Sequence, residues 1–373
     1  MYAVVFAAST HWALQSGREV TKENAVLRLN YKNKALHKMA QDVNQLGPEI
    51  PNETIYTMLS LAQFGKPGEK LVPKPYKPSQ SVLARAHDLE FYSRLPIEWA
   101  HYQMLCSLLR DRGGLPYIAR PGFAFIMSVH DVLISFRRLC PPSFPLIKQT
   151  DDYINTWPPP LQGSSTLAYT IGIGFNDLAM SPKAAQLRTI LRNVSEITLA
   201  FDRFQRKSPD APDFNSIIRA RSAVVHDLLS LPDYTDGDGS VETTTYHLCH
   251  LGGMAYMLVC LYPLYQDTGP HEELSKRIKV VLEHASSRGM WESHPGLLLW
   301  ASVLGGMLSQ GNVLRLWYVE HLSQSGIKNS LLSWAAVSGT LMCFLWLESE
   351  CDQQGQELWT EVWSPSPSRA ASV

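Results

Sequence analysis

No Cys-x-x-Cys pair occurs in this sequence, and its six cysteines, Cys106, Cys140, Cys249, Cys260, Cys343 and Cys351, are scattered along the chain. That scatter excludes a zinc cluster or ribbon, and mostly apolar neighbours predict buried free thiols suited to a reducing compartment. An excess of either charge is also missing, since 33 Lys+Arg face 34 Asp+Glu for a net charge of -1. A chain gripping a nucleic-acid backbone would carry a basic excess or stripe, so direct DNA binding is not expected of it. Nucleophile elbows and phosphate loops are absent, and Gly172-Ile173-Gly174 lacks the third glycine of a dinucleotide fingerprint. Met1 to Ala8 is apolar but has no basic start and is too short for a secretory core. The sequons at Asn52 and Asn193 therefore carry little weight. Only Asn329 to Leu347, 19 residues without a formal charge, is nominally long enough to span a bilayer. Its Asn329, Ser330, Ser333, Ser338 and Thr340, followed by Glu348 and Glu350, favour a buried helix, and no membrane partner is expected.

What is present is an ordinary globular composition, 45% hydrophobic and 18% charged, with helical rather than strand periodicity. The expected fold is all-α, a large multi-helix domain of packed antiparallel helices without significant sheet. Val20 to Val43 carries a stripe at Ala25, Leu29, Leu36, Met39 and Val43, stopped by Gly47-Pro48. Asn52 opens a short helix holding Ile55, Met58, Leu59 and Ala62. Prolines 67, 73, 75 and 78 and lysines 66, 70, 74 and 77 make 66–80 an exposed loop. Further helices are predicted at 81–94, 96–112, 121–139, 181–207, 213–230, 241–265, 271–288, 294–309, 313–324 and 329–350. Pro141-Pro142 and Pro158-Pro159-Pro160 bracket an irregular connection over 141–163, a waist in one helical body spanning 1–352. Residues 353–373 read as a tail, polar and disordered at its Ser-Pro end.

Candidate chemistry is thin. Asp236, Asp238 and Ser240 begin an EF-hand pattern, but Val241 and His247 occupy the positions that need Gly and Glu, which leaves a turn. His247 and His250 share a helix face beside Cys249, yet no third ligand is near and Leu248, Leu251, Met254 and Met257 read as packing. Asp151-Asp152 and Asn176-Asp177 raise an alternative, an all-helical magnesium-dependent enzyme of terpene-synthase type, in which carboxylates on facing helices hold a metal diphosphate. Asn155 stands where a third acid is wanted, and Ser181 comes one place late with no Glu behind it. No residue is nominated as catalytic, cofactor-binding or metal-ligating, and no cofactor is expected.

Two stretches are distinctive. In the first, Pro96 opens a helix with Ile97, His101, Leu105 and Leu108 on an apolar face, which makes His101 a core histidine. Gly113-Gly114 ends it and Pro116 prevents a restart; Ile126, Val129, Leu133 and Phe136 then stripe the next helix beside Asp131. In the second, Pro295 starts a helix whose buried face is Trp300, Val303, Leu304, Met307 and Leu308. Gly305-Gly306 inside it predict the close approach of another backbone, and Gly311 ends it.

These segments resemble the fungal-specific transcription factor domain, the helical region that follows a six-cysteine binuclear zinc cluster in many fungal regulators. The resemblance rests on Trp99 and His101 leading into Arg112-Gly113-Gly114-Leu115, Asp131, and the turn Pro142-Ser143-Phe144-Pro145. It continues in Pro295, Leu299-Trp300, Gly305-Gly306 and Arg315-Leu316-Trp317, and in Leu27 to Leu36 and Thr57 to Ala62. It implies a nuclear regulator of transcription, with a cytoplasmic site left open. Its partners would be the transcription machinery or related regulators, in homo- or heterodimers, with a small-molecule effector as a further option. The zinc cluster itself is not in this sequence.

Overall fold

A computed structural model describes residues 1–16, 21–45, 51–64, 81–118, 121–161, 166–176, 178, 182–232, 240–328 and 333–364. Among them the fold is all-α, with seventeen α-helices and no strand. The chain divides into two units, residues 1–137 with 142–147, and residues 138–141 with 148–373.

The first unit holds α1 (Tyr2–Ser16), α2 (Lys22–Gln45), α3 (Asn52–Phe64), α4 (Val82–Arg85), α5 (Leu89–Arg94), α6 (Trp99–Arg110) and α7 (Pro121–Arg138). Phe6, Ile55, Met58, Leu105, Leu109, Met127 and Ile134 meet in its core. Residues 2–16 form a helix that buries Ala3, Phe6, Ala7, Thr10 and Ala13 at three- and four-residue spacing. The predicted helix over 81–94 is broken, because His87 (φ 55°) and Asp88 (φ 51°) adopt left-handed backbone between α4 and α5. The buried face of α6 is turned by one residue from the expected one: Tyr102, Leu105, Cys106 and Leu109 are buried, while His101 and Leu108 are only half-buried. Tyr102 is the reason, since its hydroxyl donates to Asp131 Oδ1 at 2.5 Å inside the core. Asp131 Oδ2 also accepts the Phe144 N–H at 3.0 Å, so one buried carboxylate joins α6, α7 and the 142–145 turn. Gly113 (φ 89°) and Gly114 (φ 84°) end α6 as expected.

The second unit contains α8 (Thr150–Ile154), α9 (Pro182–Gln205), α10 (Phe214–Ser230), α11 (Val241–Tyr256), α12 (His271–Ser287), α13 (Met290–Ser293), α14 (Pro295–Leu308), α15 (Leu314–Lys328), α16 (Trp334–Leu341) and α17 (Glu348–Trp363). α14 is apolar on every side and buried from Leu297 to Leu308, so it forms the axis against which α11, α12, α15, α16 and α17 pack. Its glycines accept side chains rather than a second backbone. A Cβ on Gly305 would coincide with the Tyr318 ring and hydroxyl, and one on Gly306 would lie 2.6 Å from Leu358 Cδ2. Gly252 of α11 receives the Trp300 indole in the same way.

α11 stops at Tyr256 and continues to Leu261 as a π-turn. There the fully buried Arg221 guanidinium donates to the Leu261 carbonyl at 3.1 Å and lies 4.8 Å over the Tyr262 ring. The uncharged run at 329–347 is likewise not one helix, because α16 covers 334–341 and residues 342–347 are irregular. Residues 329–332 lie outside the described set. No helix among the described residues is long and apolar enough to cross a membrane. The expected tail is helical as far as Trp363, since α17 buries Cys351, Leu358, Trp359 and Val362 against the body.

Candidate functional site

The proline-bounded connection is fastened to α9 and α10. Trp157 Nε1 donates to Ser216 Oγ at 2.7 Å, and the Leu161 N–H donates to Asp210 Oδ2 at 2.8 Å. Arg203, itself buried, reaches Asp210 at 3.3 Å, and Ser208 donates to the same carboxylate. These bonds hold the Asp210 carboxyl low, at about 2, through Ser208, the Leu161 amide and Arg203.

Downstream of the connection, residues 166–176 form a strap of two 3₁₀ turns along the edge of α9. The Gly172 N–H donates to the Phe344 carbonyl at 3.0 Å and the Gly174 N–H to the Cys343 carbonyl at 2.7 Å. Only a glycine suits position 172, where φ is 85° and a Cβ would press on Ser195 Oγ at 3.0 Å. Phe175, Trp300 and Phe344 form a ring cluster beneath, with centroids 5.3 to 5.5 Å apart. The Trp300 indole N–H donates to the Leu345 carbonyl at 2.9 Å, which locks the 342–347 turn against α14.

Between strap, α9 and this turn lies a groove of about 500 Å³, a volume within the range of small-molecule sites. Leu167, Met342 and Leu347 supply apolar wall, and Thr170, Asp202, Gln205, Arg206, Glu348 and Ser349 supply polar groups. Most of the polar groups bond to one another. Ser349 Oγ donates to Gln205 Oε1 at 2.8 Å, and Gln205 Nε2 donates to Glu350 Oε1 at 2.6 Å. Arg206 Nε donates to Asp202 Oδ1 at 2.9 Å. Asp202 Oδ2 is buried and accepts no hydrogen bond. A second recess of about 420 Å³ opens along the other edge of the strap, with Arg188, Arg192 and Glu196 in its wall.

The residues singled out in the sequence go elsewhere. Asp151 accepts from Asn193 Nδ2 at 2.7 Å, and Asp152 caps α8 by accepting from the Gln149 N–H at 3.1 Å. Asn176 is exposed, and Asp177 lies outside the described residues, as do Asp236 and Asp238. Ser240 caps α11 instead, accepting from the Thr243 N–H at 3.1 Å. His250 is buried with Nε2 2.8 Å from the Leu228 carbonyl, and burial pushes the Cys249 thiol above its usual range. Among the described residues no three His, Cys, Asp or Glu side chains gather as metal ligands. None of the six cysteines, all among the described residues, is in a disulfide; Cys106, Cys249, Cys260 and Cys351 are buried, whereas Cys140 and Cys343 are half-buried.

The groove residues carry no local pattern, coming from 166–170, 202–206 and 342–349. One hint was available, an acidic residue at position 202 directly after Leu199-Ala200-Phe201 of α9. A scan against family models matched none, and neither the curated proteins nor the solved structures gave a match to this chain.

Proposed function

We propose that this chain is the helical regulatory part of a transcription regulator, acting in the nucleus by binding a small effector or a protein partner and performing no chemistry. The observation that carries the reading is where the resemblance residues are spent. Asp131 ties Tyr102 to Phe144, and Gly305 and Gly306 seat Tyr318 and Leu358. Arg315 donates to the Gly306 carbonyl at 2.6 Å and grips Glu361 with two bonds of 2.8 and 2.9 Å. Such residues specify a fold, and a sequence signature made of them belongs to a domain defined by its shape. A catalytic signature would be made of groups turned towards a substrate. The groove beside the strap gives an effector a place to act.

The test is recruitment of the whole chain to a reporter promoter by fusion to an unrelated DNA-binding domain. Reporter output should rise or fall relative to the DNA-binding domain alone. Unchanged output, together with magnesium-dependent release of diphosphate from a prenyl diphosphate, would overturn the reading in favour of an enzyme.

A further inference from the structure

We infer that the outer face of α1, with the basic α2 packed beside it, is a docking surface for an acidic amphipathic helix of a partner protein. The inference rests on the regulatory reading and deepens it by giving the protein partner a chemistry. α1 buries Ala3, Phe6, Ala7, Thr10 and Ala13 and turns Val4, Ala8 and Trp12 outward at four-residue intervals. Val4 is 50% exposed and Trp12 58%. At 1.5 Å of rise per residue these positions make an apolar ridge about 12 Å long, and α1 carries no charged residue to break it. The ridge is preformed, because α1 is held on both flanks. The Tyr2 ring lies 6.4 Å from Tyr31 of α2, and the His11 ring lies 4.5 Å from Phe91 of α5. Nine residues are two and a half helical turns, so these contacts lie on opposite flanks and leave the ridge open between them. An exposed tryptophan on a rigid apolar ridge is the usual anchor of a protein interface.

Charge selects the occupant. α2 carries Lys22, Arg28, Lys32, Lys34 and Lys38 against Glu23 and Asp42, a basic excess within a chain whose net charge is -1. Lys38 is spent on Asp42 at 2.6 Å, but no carboxylate among the described residues pairs with Lys22, Arg28 or Lys34. Lys34 Nζ stands 5.7 Å over the Tyr2 ring, which sets a cation against the edge of α1. A helix laid along the ridge, apolar below and acidic on the flank towards α2, answers both features. A second copy of this chain would bring its own basic α2 and leave the cations unanswered. A nucleic acid would answer the cations but offer nothing apolar to Val4 and Trp12.

The probe is a fluorescein-labelled 16-residue helical peptide with leucines at three- and four-residue spacing, glutamates on one flank, and alanine and glutamine elsewhere. Its controls are the same peptide with lysines for the glutamates and a scrambled order of the same composition. Fluorescence anisotropy with the full chain at low salt should show saturable binding of the acidic peptide, and binding at least about tenfold weaker for each control. Trp12→Glu and Lys34→Glu change exposed positions and should each weaken the acidic peptide about tenfold, with helical content and melting temperature intact. Val280→Glu, at an equally exposed apolar position of α12, should leave it unchanged. The proposal is overturned if either control peptide binds as tightly, if nothing saturates by millimolar concentration, or if both α1–α2 variants bind like the unaltered chain. Equal weakening by Val280→Glu also overturns it, as does displacement of the peptide by duplex DNA or by vesicles of phosphatidylcholine and phosphatidylserine. A dimer in sedimentation that Trp12→Glu dissolves would assign the ridge to a second copy instead. Reporter output and peptide anisotropy are independent readouts, so failure of one is distinguishable from failure of the other.

Discussion

Replacing glycine by alanine inside α14 and α16 makes one chemical change with opposite expected signs. Alanine is favoured over glycine in a helix interior by about 1 kcal/mol. Gly339 of α16 is exposed, with nothing within 4 Å of the new methyl, so Gly339→Ala should keep most of that gain. At Gly305 the methyl falls on Tyr318, which is 0% exposed and donates its hydroxyl to the Ser275 carbonyl at 2.6 Å. Ser275 Oγ in turn donates to the Gly305 carbonyl at 2.9 Å, so the ring cannot retreat without breaking a buried pair of bonds. Overpacking costs about 1–3 kcal/mol, and an orphaned buried hydroxyl or carbonyl about 1–2 kcal/mol more. After subtracting the helical gain, Gly305→Ala should destabilise by about 1–4 kcal/mol. Gly306→Ala should fall between, because its neighbour is the rotatable end of Leu358. Urea unfolding followed by circular dichroism at 222 nm would order the three, with the midpoint highest for Gly339→Ala and lowest for Gly305→Ala. A Gly305→Ala chain as stable as the unaltered one would refute the claim that the glycines exist to seat these side chains.

Three further outcomes follow from the packing. Asp131→Ala strands the Tyr102 hydroxyl and the Phe144 N–H, and should cost about 3–4 kcal/mol in thermal or urea unfolding, against about 1.5–2 kcal/mol for Tyr102→Phe. A double-mutant cycle showing no coupling between them would remove that bond from the account. Burial pulls His271 and His321 from 6.5 down to about 4, so both stay neutral when folded and protonate more readily once unfolded. The stability they lend is whole above pH 6.5 and drains as pH falls towards 4, by up to about 3 kcal/mol each. His321→Phe, which preserves the stack on Trp317, should flatten that acid limb of a melting-temperature profile, and an unchanged slope would count against the burial argument. Arg315→Lys should destabilise almost as much as Arg315→Ala, about 1–2 kcal/mol, because an ammonium cannot reach Glu361 with two bonds and the Gly306 carbonyl with a third. Full retention of stability in Arg315→Lys would show that charge alone suffices.

Helices were legible wherever burial is one-sided and local. The 3.6-residue spacing predicts α2, α9, α10 and α12 to within a few residues. Gly113-Gly114 and Pro295 correctly mark the end of α6 and the start of α14, whereas Pro96 lies before α6, which begins at Trp99. Legibility failed where tertiary partners decide. Tyr102 turns the α6 face because Asp131, far along the chain, offers an acceptor, and aliphatic spacing alone selects His101 and Leu108 instead. His87 and Asp88 take left-handed backbone without glycine or proline to announce the kink. Residues 329–350 read as one helix, yet the 342–347 turn within them is held by the Trp300 indole and by two strap amides. The groove was illegible for the same reason. The acids that attract attention, Asp151 and Asp152, cap and brace α8, while Asp202 of the groove wall stands alone in sequence.

The strap also sets an order of assembly. Its amides meet carbonyls at 343 and 344, and Gln205 of the groove wall donates to Glu350, 145 residues away. Contacts of such long sequence separation carry a large loop-closure cost and form only after the helices they join have docked. The groove therefore exists only once the strap, α9 and the 342–349 segment are docked on one another. Anything that lodges there acts as a clasp on a finished fold, slowing its unfolding while leaving the early steps of its formation untouched.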